Sequence, residues 1–201
     1  MQTIDEARSQ VIDAADRLFY ARGVQAVSMD DLRSEASVSL KRLYSMFPSK
    51  EALVLAVLGR RHELWTTGIE AAAATVTEPR DKLLSMYDYL FDWFRDDTYR
   101  GCGFINAFGE LGATVPAVAE ATRQQKESFQ RYVAGLVADI GATPLLADQL
   151  AILAEGAQTT AAIAGRPDAA LAARDAAAVL IDAALTASSP APSPAPGADD
   201  R

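Results

Sequence analysis

The chain has 201 residues, half of them hydrophobic, with only 7% aromatic residues and a formal net charge of −8. That length and apolar share support a sizeable core, and the abundance of alanine leans towards packed helices rather than a sheet. A single cysteine, Cys102, and a single histidine, His62, exclude an intramolecular disulfide and any Cys/His zinc cluster, and leave thiol or serine triads one candidate base.

The first predicted helix runs from Ile4 to Ala21, with Ile4, Ala7, Val11, Ala14, Ala15, Leu18 and Phe19 on one face and Asp5, Arg8, Asp13 and Arg17 opposite. Gly23 ends it. Ser28, followed by Asp30 and Asp31, caps a short second helix ending near Ala36, because a hydroxyl and two acids complement the exposed N–H groups of a first turn. Ser37-Val38 makes a tight turn, and Ser39 caps another short helix, Leu40 to Phe47, which Pro48 stops. Ser49 and Glu51 start a long helix through Leu55, Leu58 and Trp65 towards Ala74. His62, beside Arg60 and Arg61, reads as a solvated position on it.

Beyond Pro79, Leu83, Leu84, Tyr87, Leu90, Phe91 and Phe94 form a broad aromatic-rich face. Arg100-Gly101-Cys102-Gly103 is a loop leading into a helix over Phe104 to Leu111, and Pro116 opens a further helix to about Ile140. Pro144 and Pro167 each open a last long helix, and Ser188–Arg201, with Pro at 190, 192, 194 and 196, is expected to be a disordered tail. The fold class is all-α. The expected units are residues 1–50 for a DNA-binding domain, 51–187 for a helical effector-binding and dimerisation domain, and 188–201 for the tail.

Two short helices around a tight turn, behind a longer amphipathic helix, have the layout of a helix-turn-helix. Ser39, Lys41 and Arg42 stand near the start of the second short helix, followed by Tyr44 and Ser45. Basic residues in a first turn oppose the helix dipole by roughly 0.3–1 kcal/mol each. The arrangement makes sense if polyanionic DNA faces that end. From Ser39 to His62 five basic residues stand against Glu51 alone, so an acidic protein carries a local basic stretch. Leu40 either touches a thymine methyl or packs at the core edge.

The stretch Ser28-Met29-Asp30-Asp31-Leu32 through Ala36-Ser37-Val38-Ser39, continued by Leu43-Tyr44-Ser45-Met46-Phe47-Pro48-Ser49-Lys50-Glu51-Ala52-Leu53, resembles the DNA-binding domain of the TetR family. The resemblance implies phosphate contacts from Ser28, Ser39, Tyr44 and Lys50, and base-facing or phosphate-contacting roles for Lys41 and Arg42. It also implies a cytoplasmic repressor that is released from a palindromic double-stranded DNA operator by a small-molecule effector. The dimer would form through the two C-terminal helices, about 144–165 and 167–186. The chain departs from the family pattern, which often has Gly at Ser37, Lys-Gly-Thr at Leu40-Lys41-Arg42 and His at Met46.

Candidate effector contacts are Trp65, Tyr87, Phe91, Phe104, Asn106, Phe108 and Glu110. Asn106 and Glu110, four residues apart, share a helix face. They either meet a ligand or are satisfied by backbone or by an arginine such as Arg123. Cys102 is either a redox sensor or an inert core thiol. HExxH, GxSxG, GxGxxG and P-loop patterns are absent, so no catalytic residue, metal ligand or cofactor is assigned and no enzyme is expected. Nor does any segment approach the roughly 18–20 apolar residues that span a bilayer, so no membrane partner is expected. The competing reading is a helical small-molecule-binding or enzymatic domain without a DNA-regulatory role.

Overall fold

Hydroxyl side chains set the start of each early helix. In the computed structural model, which describes residues 3–188, Thr3 caps α1 (Ile4–Arg22) and Ser28 caps α2 (Met29–Glu35). Both form reciprocal boxes: the Asp31 amide donates to Ser28 Oγ at 3.1 Å while the Ser28 amide donates to the Asp31 carboxylate at 2.8 Å. Ser39 caps α3 (Leu40–Met46), and Ser49 caps α4 (Lys50–Ala74). Three later helices instead carry proline in the first turn, where its missing N–H costs nothing: α5 (Pro79–Phe94), α7 (Pro116–Asp139) and α8 (Pro144–Ala164). Between them lies α6 (Gly103–Leu111). The last helix, α9 (Ala169–Ser188), begins two residues after Pro167, because Gly165 adopts the left-handed conformation and the chain turns before re-entering a helix.

Among the described residues there are nine helices and no strand, as the all-α expectation requires. The expected tail lies outside the described residues apart from Ser188. No helix among those described is long and apolar enough to cross a membrane.

Two apolar cores organise these helices. The first gathers Val11, Phe19, Val27, Leu32, Leu43 and Phe47 from α1–α3 and their connections. It is closed from outside the first fifty residues by Leu53, Val57 and Leu58 of α4, with Phe104 and Ala107 of α6 and Val118 of α7. The second joins α5, α7, α8 and α9 around Leu83, Tyr87, Leu90, Phe129, Leu150 and Ile181, with Ile69 from the far end of α4. The helix α4 therefore belongs to both cores, and α6 is packed into the first.

Candidate nucleic-acid interface and adjoining cavity

The orientation of α3 follows from one side chain. Leu43 is fully buried in the first core, which turns Leu40, Lys41, Arg42, Tyr44 and Ser45 outwards, with Leu40 and Tyr44 40% and 46% exposed. Lys41 and Arg42 form no ion pair among the described residues. The hydroxyls beside them are engaged locally: Ser39 Oγ accepts from the Arg42 amide, Ser45 Oγ donates to the Arg42 carbonyl, and Ser28 Oγ donates to Asp31. Lys50 stands apart from this open set. It is half-buried at the start of α4, where burial pulls its pKa down while the Glu110 and Asp31 carboxylates push it up.

The basic stretch is shorter in space than in sequence. Arg60 pairs with Asp13 at 3.1 Å and donates to Ser9, and Arg61 pairs with Asp16 while stacking 3.8 Å over the Tyr20 ring. Both arginines are therefore spent on fastening α4 to α1. His62 is not a solvated position: it is half-buried, and its Nδ1 is buried without a hydrogen-bond partner.

Two further ties hold α1 and α2 to the rest of the molecule. The Glu110 carboxylate accepts from the amides of Val24 and Gln25 at 3.0 and 2.9 Å, and Gln25 Nε2 donates back to the Glu110 carbonyl at 2.7 Å. Gly23, with φ of 82°, makes room for this contact, since a Cβ there would sit 3.1 Å from the carboxylate. On the opposite side Tyr20 donates to the Gly101 carbonyl at 2.6 Å and accepts from the Arg100 amide at 2.8 Å. Burial raises the Tyr20 pKa, against the lowering effect of that amide and of Arg61.

Behind α1 the helices enclose a cavity of about 490 Å3. Asp16 and Tyr20 of α1, Arg61 and Trp65 of α4, Tyr89 and Trp93 of α5, Phe104 of α6, Gln125 and Phe129 of α7 and Gln158 of α8 form its wall, with Cys102 alongside. Trp65 is the hub, its ring centroid lying 5.6 Å from Tyr89, 5.7 Å from Trp93 and 5.6 Å from Phe129. A space of this size with aromatic walls and a few polar groups suits a drug-sized molecule.

Of the effector candidates, Trp65 and Phe104 reach this wall. The others are placed elsewhere. Tyr87 is fully buried in the second core and donates to the Leu150 carbonyl at 2.8 Å, its pKa driven far up by burial. Phe91 packs against that core under Arg95. Asn106 and Glu110 do share a face, but it looks onto the Arg100 loop and the α1–α2 turn: Asn106 Nδ2 donates to the Arg100 carbonyl at 3.0 Å, and Glu110 is held as described. Because α6 buries Phe104 and Ala107, Phe108 is left 52% exposed. The residues not anticipated for the wall include Gln125 and Gln158. For Gln125 a signal was present, since it stands with Thr122 as a polar residue in the buried stripe that Val118, Phe129, Val133 and Val137 form along α7.

A family profile described as bacterial regulatory proteins, tetR family, matches residues 11–57. The transcriptional activator FasR of Mycolicibacterium smegmatis is 33% identical over 133 residues, covering 66% of this chain and 59% of that protein. The regulator TtgR of Pseudomonas putida is 41% identical over 58 residues, 29% of this chain and 28% of the relative. The matched part of the chain spans 59 to 61% of the length of the first curated relatives. A TetR-family regulator from Streptomyces coelicolor superposes with a TM-score of 0.79 at 25% identity, over 91% of this chain and 96% of that one. With the short capped helices, the exposed basic start of α3 and these likenesses together, residues 11–57 are a DNA-binding segment of the tetR family of bacterial regulatory proteins, and the chain as a whole shares the fold of a TetR-family regulator.

Proposed function

We propose that the protein is a homodimeric, sequence-specific DNA-binding transcriptional repressor that a small molecule in the 490 Å3 cavity releases from its operator. One observation carries this reading. The helix α6 presents Phe104 to the cavity at its start and clamps the α1–α2 turn through Glu110 at its end. A ligand that shifts α6 therefore changes the seat of the helices that carry Lys41 and Arg42. It alters DNA affinity by the difference between its own affinities for the two arrangements.

In this reading Lys41 and Arg42 approach bases or phosphates, and Ser28, Ser39, Leu40, Tyr44, Ser45 and Lys50 line the approach. Dimerisation is supported by a stripe on α8. Leu145, Ile152 and Ile163 fall on one helix face at spacings of seven and eleven residues and are 63%, 69% and 83% exposed, with Val179 of α9 69% exposed. Two such helix pairs related by a two-fold axis make a four-helix interface.

Selection from a random duplex pool tests the reading: an inverted repeat should be enriched, and enrichment of no repeat would overturn it. The curated relative from M. smegmatis is an activator by name, which favours activation as a second reading. A promoter fusion carrying the selected site separates the two by the sign of its response.

A further inference from the structure

The main cavity has an annex. A second space of about 80 Å3 adjoins it, and Trp65, Gln125 and Phe129 border both, while His62 and Glu70 of α4 border only the smaller one. Three polar atoms around this annex are buried without a hydrogen-bond partner: His62 Nδ1, Trp65 Nε1 and Gln125 Oε1. Gln125 as a residue is only 7% exposed. Buried polar groups are matched in nearly all native structures, so three unmatched atoms around one small space point to an absent partner.

The chemistry of that partner can be read from two of these atoms, whose donor or acceptor character is fixed. Gln125 Oε1 accepts only, and the indole N–H of Trp65 donates only. A head group that satisfies both needs a donor and an acceptor of its own. A carboxylate brings acceptors alone and leaves Gln125 Oε1 unmatched, with the Glu70 carboxylate also on the annex border. An ammonium brings donors alone and leaves the indole unmatched. On the main-cavity side the wall is aromatic, and of the basic side chains at its edge Arg61 is paired with Asp16, Arg17 with Glu35 and Lys126 with Glu155.

We propose that the occupant is a flat aromatic molecule lying among Trp65, Trp93 and Phe129, with an uncharged head such as a carboxamide, lactam or phenol seated in the annex against Gln125 and Trp65. This ligand class rests on the reading of the main cavity as a small-molecule site.

Three probes that share one ring system test it by calorimetry on the full chain: 2-naphthamide, 2-naphthoate and 2-naphthylmethylamine. The amide should bind at least tenfold more tightly than either charged probe. Gln125→Leu and Trp65→Phe should each weaken the amide about three- to tenfold, the effect of one hydrogen bond, and narrow its advantage over the charged probes. Trp65→Phe keeps a ring in place and stands as the second variant should Gln125→Leu fail to fold. Equal or tighter binding of naphthoate or the amine overturns the head-group assignment and leaves the cavity reading standing. An amide preference that survives in both variants places the head elsewhere and also overturns it. Binding of none of the three removes the cavity reading together with the ligand class.

Discussion

Ser37 is the only non-glycine with positive φ among the described residues, at 51°, in the turn between α2 and α3. A side chain in that region meets the following carbonyl, a cost of roughly 1–2 kcal/mol that glycine escapes, partly offset by glycine's larger unfolded-state entropy. Ser37→Gly should therefore raise stability by about 0.5–1 kcal/mol, read from the denaturant midpoint at unchanged slope. A lower midpoint would assign the hydroxyl a role of its own. Asp31 gives a pH dependence. Hydrogen bonds from the Ser28 hydroxyl and amide hold its carboxyl below the usual range. With the folded value below the unfolded one, the stabilisation is full above about pH 3.9 and is lost as pH falls through the depressed value. The gap in melting temperature between wild type and Asp31→Asn should hold steady from neutrality to mild acid and close in stronger acid. A gap that persists there would show that the ion itself is not what counts. Residue-level reading of the sequence succeeded where chemistry is local, as at the Ser28, Ser39 and Ser49 caps. It failed at His62, read as solvated, because the half-buried ring stands in a cavity wall that no local pattern announces, and at Arg60 and Arg61, counted in a local basic stretch, because their carboxylate partners come from α1.

At the scale of an element, α3 and α6 make contrasting cases. The register of α3 was legible because Leu43 is its one buried residue, and burying it leaves Lys41 and Arg42 exposed whatever the neighbours. Removal of Arg42 should cost about 1–3 kcal/mol at the preferred sequence and relax choice at one position per half-site. Loss of Lys50 should weaken all sequences alike and flatten the salt dependence by roughly 0.9 per lost phosphate contact. Competition binding against single-base variants of the selected site distinguishes the two, and equal loss of specificity would refute the assignment. The spacing in α6 was also legible, since Asn106 and Glu110 do share a face, but spacing says nothing about what that face meets. The Glu110 carboxylate is consumed by two amides of the α1–α2 turn. Glu110→Ala should cost about 1.5–3 kcal/mol in unfolding experiments, the worth of hydrogen bonds to a charged acceptor. Probe affinity for the cavity should stay intact while the response of DNA binding to the probe is lost. An unchanged response would mean that another contact transmits it.

At the scale of the whole molecule, the exposed stripe on α8 bears on assembly. A charge placed in an apolar interface loses its hydration without a partner, and two-fold symmetry introduces it twice. Ile152→Glu should leave the melting of the separate subunit near wild type, shift sedimentation to the monomer and abolish tight binding to a full inverted repeat. A dimer that survives would move the interface off this face. The all-α layout was legible from helical periodicity and from the prolines at 79, 116 and 144, which start three helices. The cavity was not legible, because its wall draws a few residues from each of six helices that are spread along the sequence and meet only after folding. That wall has one practical consequence. The chain contains two tryptophans, and both of them, Trp65 and Trp93, stand in it with their rings 5.7 Å apart. The protein thus carries its own optical reporter: any occupant displaces the surroundings of every indole the molecule has. A chemical library can be screened against unlabelled protein by emission intensity and wavelength alone, before an operator or a regulated gene is known.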